Sequence, residues 1–320
     1  MAIKGKRIFL TGGAGFIGVS LISKLIKDNE IIIYDNLRRD ALTNTDLVKN
    51  KNLTLIKGDV LDSANLKKCI GDSNLVIHLA AIAGIDTVVK SVITTMKVNM
   101  IGTANVLEAA MILKKCERFV DFSTSEVFGT YCYNSGEGDS TNMGAVGEAR
   151  WTYSVSKLSA EHLTYSYHKE LGLPAVIIRP FNIYGPRQVG EGAIHHFIKR
   201  ALSGLPIQIY GDGNRIRAWC YVDDLINGLL LCLENKDAIG QVFNIGNPRS
   251  TVTIYGLALS VLKASNSKSK IEFLPDSEVD IELRVPNIEK ARKILGFNPQ
   301  VELEEGLART ISWYKNFKND

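Results

Sequence analysis

Residues 6–18, Lys6-Arg7-Ile8-Phe9-Leu10-Thr11-Gly12-Gly13-Ala14-Gly15-Phe16-Ile17-Gly18, constrain the rest of the chain more than any other stretch. A β-prone apolar run drops into a glycine cluster, and Leu21, Ile22, Leu25 and Ile26 then recur at helical spacing. That order reads as a strand, a tight turn and a helix N-terminus. Glycines permit the turn and let a ligand approach the backbone, while the first helical N–H groups carry a partial positive charge. Gly13-x-Gly15-x-x-Gly18 and the overlapping Gly12-x-x-Gly15-x-x-Gly18 both fit a dinucleotide pyrophosphate cradle.

Surroundings strengthen the pattern. Asp35 closes the next apolar run, Ile31-Ile32-Ile33-Tyr34-Asp35. A carboxylate there suits the two adenosine-ribose hydroxyls and repels a 2′-phosphate, which favours NAD over NADP. Arg38 and Arg39 pull slightly the other way. After the third apolar run, Gly58-Asp59-Val60 places Asp59 to accept from the adenine amino group.

Short Ile/Val/Leu runs at 6–11, 31–35, 53–57, 75–79, 118–123 and 175–179 alternate with helical patterns near 16–27, 63–70, 91–115 and 152–171. This rhythm predicts an α/β fold, a Rossmann-type doubly wound parallel sheet with right-handed crossovers. After about residue 180 the rhythm breaks into turn signals such as Gly211-Asp212-Gly213-Asn214 and Gly246-Asn247-Pro248. The expected division is an NAD-binding domain over 1–179, with a return strand near 242–245, and a smaller α/β substrate domain over 180–320. The 38 basic and 34 acidic residues are too balanced for nucleic acid as the main partner. No apolar run is long enough to span a bilayer. The five cysteines are scattered, so a disulfide framework is not expected and a cytoplasmic location is. His195-His196 lacks accompanying carboxylates, so no metal is expected.

Tyr153-Ser154-Val155-Ser156-Lys157 puts a phenol and an ammonium one helical turn apart on one face. A lysine and a nicotinamide cation beside the phenol would lower its pKa from about 10 toward neutrality, making it a base for a substrate hydroxyl. Tyr165/Lys169 and Tyr314/Lys318 share the spacing and read as solvated helix pairs. Tyr153 differs in opening a helix. It also follows Ser123-Thr124-Ser125-Glu126 at the end of the fifth strand, the edge where open α/β sheets bind ligands. Thr124 is placed to hydrogen-bond the hydroxyl that Tyr153 deprotonates.

Together with these stretches, Leu79-Ala80-Ala81, Ser123-Thr124-Ser125-Glu126-Val127-Phe128-Gly129, Arg179-Pro180-Phe181-Asn182-Ile183-Tyr184-Gly185-Pro186 and Tyr221-Val222-Asp223-Asp224 resemble the extended short-chain dehydrogenase/reductase family. Its members are nucleotide-sugar epimerases, dehydratases and decarboxylases. The resemblance implies resident NAD and a transient 4-keto sugar. It implies a catalytic set of Thr124, Ser125, Glu126, Tyr153 and Lys157. The cofactor set is Gly12, Gly15, Phe16, Ile17, Gly18, Asp35, Asn36, Asp59, Val60, Leu79, Ala80, Ala81, Asn99, Ser123, Tyr153 and Lys157. Asn182, Arg217 and Arg284 are the implied substrate residues, and bidentate guanidinium donors suit phosphate. Relatives commonly dimerise through the 91–115 and 152–171 helices, so a homodimer is expected, with Leu158, Leu163, Val106 and Leu107 available to it.

The second chemical step turns on Glu126. Ser-Thr-Ser-Glu, Arg150-Trp151-Thr152-Tyr153 and Asn244-Ile245-Gly246-Asn247-Pro248 are most similar to the UDP-glucuronate decarboxylase branch. Phe128, where Tyr is common, and Arg284-Val285-Pro286-Asn287, in place of Arg-Lys-Pro-Asp, depart from it. A 4,6- or 5,6-dehydratase and a 4-epimerase stay open, as does a non-catalytic NAD-sensing protein. The loop around Tyr131-Cys132-Tyr133 reads either as a lid over the sugar or as a surface excursion.

Overall fold

The computed structural model describes residues 3–276 and 280–317. Its first half runs β1 (Arg7–Thr11), α1 (Phe16–Leu25), β2 (Glu30–Asp35), β3 (Leu53–Lys57), α2 (Ser63–Cys69), β4 (Leu75–His78), α3 (Ile85–Lys90), α4 (Val92–Met96), α5 (Gly102–Met111), β5 (Arg118–Phe122), β6 (Tyr131–Ser135), α6 (Thr152–Leu171) and β7 (Ala175–Pro180). The remainder comprises β8 (Ile183–Tyr184), α7 (Ala193–Leu202), β9 (Ile207–Tyr210), β10 (Ile216–Ala218), β11 (Cys220–Tyr221), α8 (Val222–Glu234), β12 (Val242–Ile245), β13 (Thr251–Thr253), α9 (Ile254–Ser265), β14 (Ile271–Leu274), β15 (Leu283–Pro286), α10 (Glu289–Leu295) and α11 (Leu303–Phe317).

Seven strands form one parallel sheet in the order β12-β7-β5-β4-β1-β2-β3. Its central strands are apolar because both faces are covered; every residue of β4 and β5 is buried. The chain runs outward from β1 to β2 and β3, then crosses back to β4 on the other side. That reversal leaves a crevice at the carboxyl ends of β1 and β4, the ligand-binding place of a doubly wound sheet. The run 242–245 returns to this sheet as β12, beside β7.

A second, mixed sheet has the order β13-β10-β15-β6. Here the structure departs from the loop reading of Tyr131-Cys132-Tyr133, because β6 pairs in parallel with β15. Alternation along β6 buries Cys132 and exposes both tyrosines, so one side packs and the other meets solvent.

The predicted helix over 91–115 is interrupted. A π-helical turn at Lys97–Ile101 separates α4 from α5, and its Asn99 is fully buried. Val106 and Leu107 are also fully buried, within the core beneath the sheet, so they offer nothing to a partner. Leu158 and Leu163 are partly buried against the core, while Ile93, Ile101, Met111, Ile112, Tyr165 and Leu171 are exposed on these segments. Tyr314 is no solvated helix residue: it is buried, bonds the His195 ring and donates to Gln188 O at 3.1 Å. Its proposed mate Lys318 lies outside the described residues. The five cysteines are free thiols. Among the described residues, no helix is long and apolar enough to cross a membrane and no three His, Cys, Asp or Glu side chains are grouped to hold a metal.

Candidate active site

The glycine turn between β1 and α1 closes one end of a cleft of about 440 Å³. Gly12 has φ +71, and a Cβ there would lie 2.5 Å from Ala80 N. At Gly18 a Cβ would lie 2.3 Å from Gly13 O. The first fixes how closely the turn approaches the Leu79–Ala81 segment; the second lets α1 pack against its own turn. Gly15, Phe16 and Ile17 also line the cleft.

Asp35 sits at the cleft rim. Its Oδ2 accepts from Ala14 N at 3.0 Å and its Oδ1 from Leu37 N at 2.7 Å, so the carboxylate is held in place with lone pairs to spare. Burial raises its pKa and those two N–H bonds oppose the rise. Asn36, Asp59, Val60, Leu79, Ala80, Ala81, Ser123, Tyr153 and Lys157 complete the predicted lining. Ser123 Oγ is buried without a protein partner, a free donor and acceptor at the far end. Asn99 is placed differently. It stands behind the wall, where its side chain accepts from Ile82 N at 2.8 Å and donates to Ile82 O at 3.1 Å and to Ser156 Oγ at 3.0 Å. The π turn thus braces the segment after β4 against α6. His78 is a packed core residue: its ring bonds Thr11 Oγ1 at 2.6 Å and Thr103 Oγ1 at 2.9 Å, and burial beside Lys157 pushes its pKa down to about 3.

Thr124 caps the short turn Ser125–Phe128, its Oγ1 accepting from Glu126 N at 3.2 Å. This cap, with buried Ser125, carries Glu126 beneath the N-terminus of α6. Tyr153 and Lys157 project from the first turns of that helix into the cleft. Burial raises the Tyr153 phenol above its usual pKa; Glu126 and Asp121 add to the rise, while a Thr124 hydrogen bond and Arg284 oppose it. The expectation that Lys157 sets the phenol's acidity is therefore not met by the protein groups alone. Lys157 Nζ instead lies 4.0 Å from Asp121 Oδ1.

Glu126 occupies an arginine cage. Arg150 Nη1 donates to its Oε2 at 2.7 Å, and Arg284 Nη1 lies 3.6 Å from its Oε1. Burial pushes the Glu126 carboxyl up, but Arg150 and Arg284 outweigh burial and hold it below the usual carboxylate range. Asp280 bridges Arg150 at 3.2 Å and Arg217 at 3.6 Å. Burial and neighbouring Arg284 bring Arg217 down to about 10. Arg284 Nη1 donates to Asn182 Oδ1 at 3.4 Å, while its Nε and Nη2 are buried without hydrogen-bond partners. Asn182, at φ +43, donates through Nδ2 to Ala218 O at 2.8 Å. Within this cage Arg150, Arg217 and Arg284 face Glu126 and Asp280, Asp280 is shared with Arg215 at 3.7 Å, and unused N–H donors remain on Arg284. Buried donors of this kind suit an anionic ligand.

Arg150 and Asp280 were absent from the predicted site set. Arg150 was visible in position, one residue before the Trp151 that precedes α6; nothing local marked Asp280, which arrives from beside β15. Glu191 was missed for the same reason. It reaches across the cleft to Thr87 and Arg39.

These features define a nucleotide-binding α/β enzyme with a Tyr/Lys pair at the sheet's carboxyl edge. Residues 8–246 match the NAD dependent epimerase/dehydratase family model. The chain is 34% identical over 325 residues to the UDP-N-acetyl-alpha-D-glucosaminuronate decarboxylase of Bacillus cytotoxicus, covering 98% of this chain and 99% of that one. It is 36% identical over 320 residues to UDP-glucuronic acid decarboxylase 1 of Arabidopsis thaliana, covering 98% and 71%. Among solved structures, UDP-glucuronic acid 4-epimerase from Bacillus cereus, in complex with UDP-glucuronic acid and NAD, superposes with TM-score 0.89 at 32% identity over 97% of this chain and 99% of that one. DesIV, a dTDP-glucose 4,6-dehydratase from Streptomyces venezuelae with NAD bound, gives TM-score 0.89 at 27% identity over 98% of each. The chain belongs to the NAD-dependent epimerase/dehydratase family. It is an NAD-dependent enzyme that modifies nucleotide sugars. The glycine cradle and the anchored Asp35 fit its cofactor, NAD.

Proposed function

We propose that this enzyme decarboxylates a UDP-linked hexuronate, of the UDP-glucuronate type. The observation that carries this reading is the cage around Glu126, where Arg150, Arg217 and Arg284 exceed the local carboxylates and Arg284 retains two buried, unpaired nitrogens. A substrate bearing both a diphosphate and a sugar carboxylate supplies the missing negative charge. The names of the two decarboxylase relatives support the same choice.

In this reading residues 1–179 hold the cofactor, and 180–320 supply Asn182, Arg217 and Arg284 to the sugar nucleotide. NAD supplies the hydride acceptor and donor for the sugar's C4. Tyr153 Oη takes the proton of the C4 hydroxyl, with Thr124 Oγ1 bonded to the same oxygen and Lys157 beside it. A ketone at C4 places the C6 carboxylate β to a carbonyl, so the C5–C6 bond breaks with loss of CO2, its electron pair passing to the C4 oxygen as an enolate that is then protonated at C5. Ionised Glu126 repels the substrate carboxylate from its own side, and Arg284 orients it. Glu126 is poorly suited to act as the acid for a leaving C6 hydroxyl while the arginines keep it ionised. Ser125 offers no carboxylic acid either, which counts against a dehydratase of the glucose type with Asp at that position, while the Thr-Ser-Glu arrangement leaves the mannose type open.

The test is product mass after incubation with NAD and UDP-, dTDP-, GDP- and CDP-sugars. A product lighter by CO2 from a UDP-hexuronate is expected. An untouched UDP-hexuronate with another sugar turned over would end this reading; loss of water there marks a dehydratase, and an isomer of unchanged mass an epimerase. The protein is further proposed to act as a homodimer through Ile93, Ile101 and Tyr165, and a monomer in sedimentation at micromolar concentration would contradict that.

A further inference from the structure

Asp121 is a carboxylate with no exposed surface in the middle of the parallel sheet. It lies on β5 opposite His78 of β4. Its Oδ2 accepts from Thr164 Oγ1 at 3.3 Å, and its Oδ1 has no hydrogen-bond partner. Lys157 Nζ, on a side chain only 2% exposed, stands 4.0 Å from that Oδ1. A buried, half-satisfied carboxylate is costly, and an apolar residue of similar size is often neutral or stabilising in place of a buried ion pair. Packing therefore does not account for an aspartate here.

The surrounding charges isolate the pair. Glu161, one turn further along α6, is committed to Arg179 of β7 by two bonds of 2.9 and 2.7 Å. Glu126 belongs to Arg150 and Arg284. His78 spends both ring nitrogens on threonine hydroxyls. Tyr153 carries the remaining titratable group on this face of α6. Among the described residues, Asp121 is the one uncommitted counter-charge near Lys157. Its separation exceeds a direct hydrogen bond, so the ammonium keeps its N–H donors for the cleft that it lines.

We propose that Asp121 is a positioning residue for Lys157, keeping the buried ammonium charged and held toward the sheet while its donors face the cleft. The proposal rests on Lys157 belonging to the catalytic set. Burial lowers the Lys157 pKa, and Asp121, then Glu161, oppose that fall. Asp121 also contributes to raising the Tyr153 phenol. Removing its charge therefore moves both groups the same way, to lower pKa.

The test compares Asp121→Asn, Asp121→Glu and Lys157→Met holoenzymes with wild type, by pH–rate profile, and the cofactor-free chains by thermal melting across pH. In Asp121→Asn both limbs of the profile are expected to move down by about one pH unit, which is about tenfold less turnover on the alkaline side. Its melting temperature should also rise more steeply with pH above neutrality. An unfolded lysine binds its proton up to about pH 10.4 while the folded one has released it, so stability rises with pH in that window. Asp121→Glu keeps the charge and should hold both limbs at their wild-type positions. Unmoved limbs and an unchanged melting slope in Asp121→Asn would overturn the proposal, as would equal loss of activity in Asn and Glu variants with both limbs in place. If Lys157→Met retains turnover, the catalytic reading of Lys157 has failed instead.

Discussion

Glu191 ties together the two banks of the cofactor cleft, and its removal should show as escape of NAD. It lies in the loop between β8 and α7, and Gln188, Val189 and Glu191 line one bank while Arg39 and Thr87 line the other. Glu191 Oε1 accepts from Thr87 N at 3.1 Å, Thr87 Oγ1 at 2.6 Å and Arg39 Nη2 at 3.3 Å; Oε2 accepts from Asp86 N at 3.0 Å. The carboxylate thus caps the first turn of α3 from a different part of the chain. A cap contributes about 1 kcal/mol. Its charge at a helix N-terminus adds about 0.5 kcal/mol. The partly exposed pair with Arg39 adds about 0.5 kcal/mol. Glu191→Ala therefore weakens closure by about 2 kcal/mol, which corresponds to about 30-fold faster NAD release where opening of this strap limits release. Glu191→Gln keeps the acceptor but not the charge and should fall between. The assay loads the enzyme with NAD, dilutes it into a scavenging dehydrogenase and follows the NAD still bound. Equal release rates from wild type and Glu191→Ala would refute the strap.

Gly12→Ala is expected to abolish NAD retention, because φ +71 and a Cβ 2.5 Å from Ala80 N force the Leu79–Ala81 wall outward; cofactor absorbance of the purified protein and its melting temperature check this, with about 1–3 kcal/mol lost to overpacking. Tyr153→Phe should keep NAD and lose turnover by a factor of at least about 100, the usual scale of a lost acid–base group, measured by product mass. His78 sets an acid limit. Its folded pKa, about 3, lies below its unfolded value, so the unfolded chain binds the proton first. Stability then falls as pH drops through about 6.5 toward the folded value, by at most about 1.4 kcal/mol per pH unit. His78→Gln should flatten that slope in denaturant titrations, and an unchanged slope would exclude His78 as its source.

What could be read in the chain beforehand follows from how far apart the cooperating residues lie. The glycine turn and Asp35 each announce themselves through their immediate neighbours, since strand, turn and helix must be adjacent for the cradle to form. The central parallel strands were legible for the same reason: sheet strands buried on both faces have little choice but near-continuous apolar residues. Strand β6 was not, because alternation around Cys132 becomes meaningful only beside β15, more than a hundred residues later. The π turn that interrupts the 91–115 helix escaped too: its Asn99 bonds Ile82 and Ser156, partners from distant stretches that local helical spacing does not reveal. The cage follows the same logic at higher stakes. Glu126, Arg150, Arg217 and the Asp280/Arg284 stretch come from four separate segments and meet only in three dimensions. In the proposed mechanism the first chemical step draws on Tyr153 and Lys157, which are neighbours on one helix, and the second on the charge balance of that cage. A family can therefore be recognised from short motifs while its members diverge in reaction, since on the proposed reading a changed arginine or carboxylate in these segments would shift the C5 or C6 chemistry without disturbing the glycine turn.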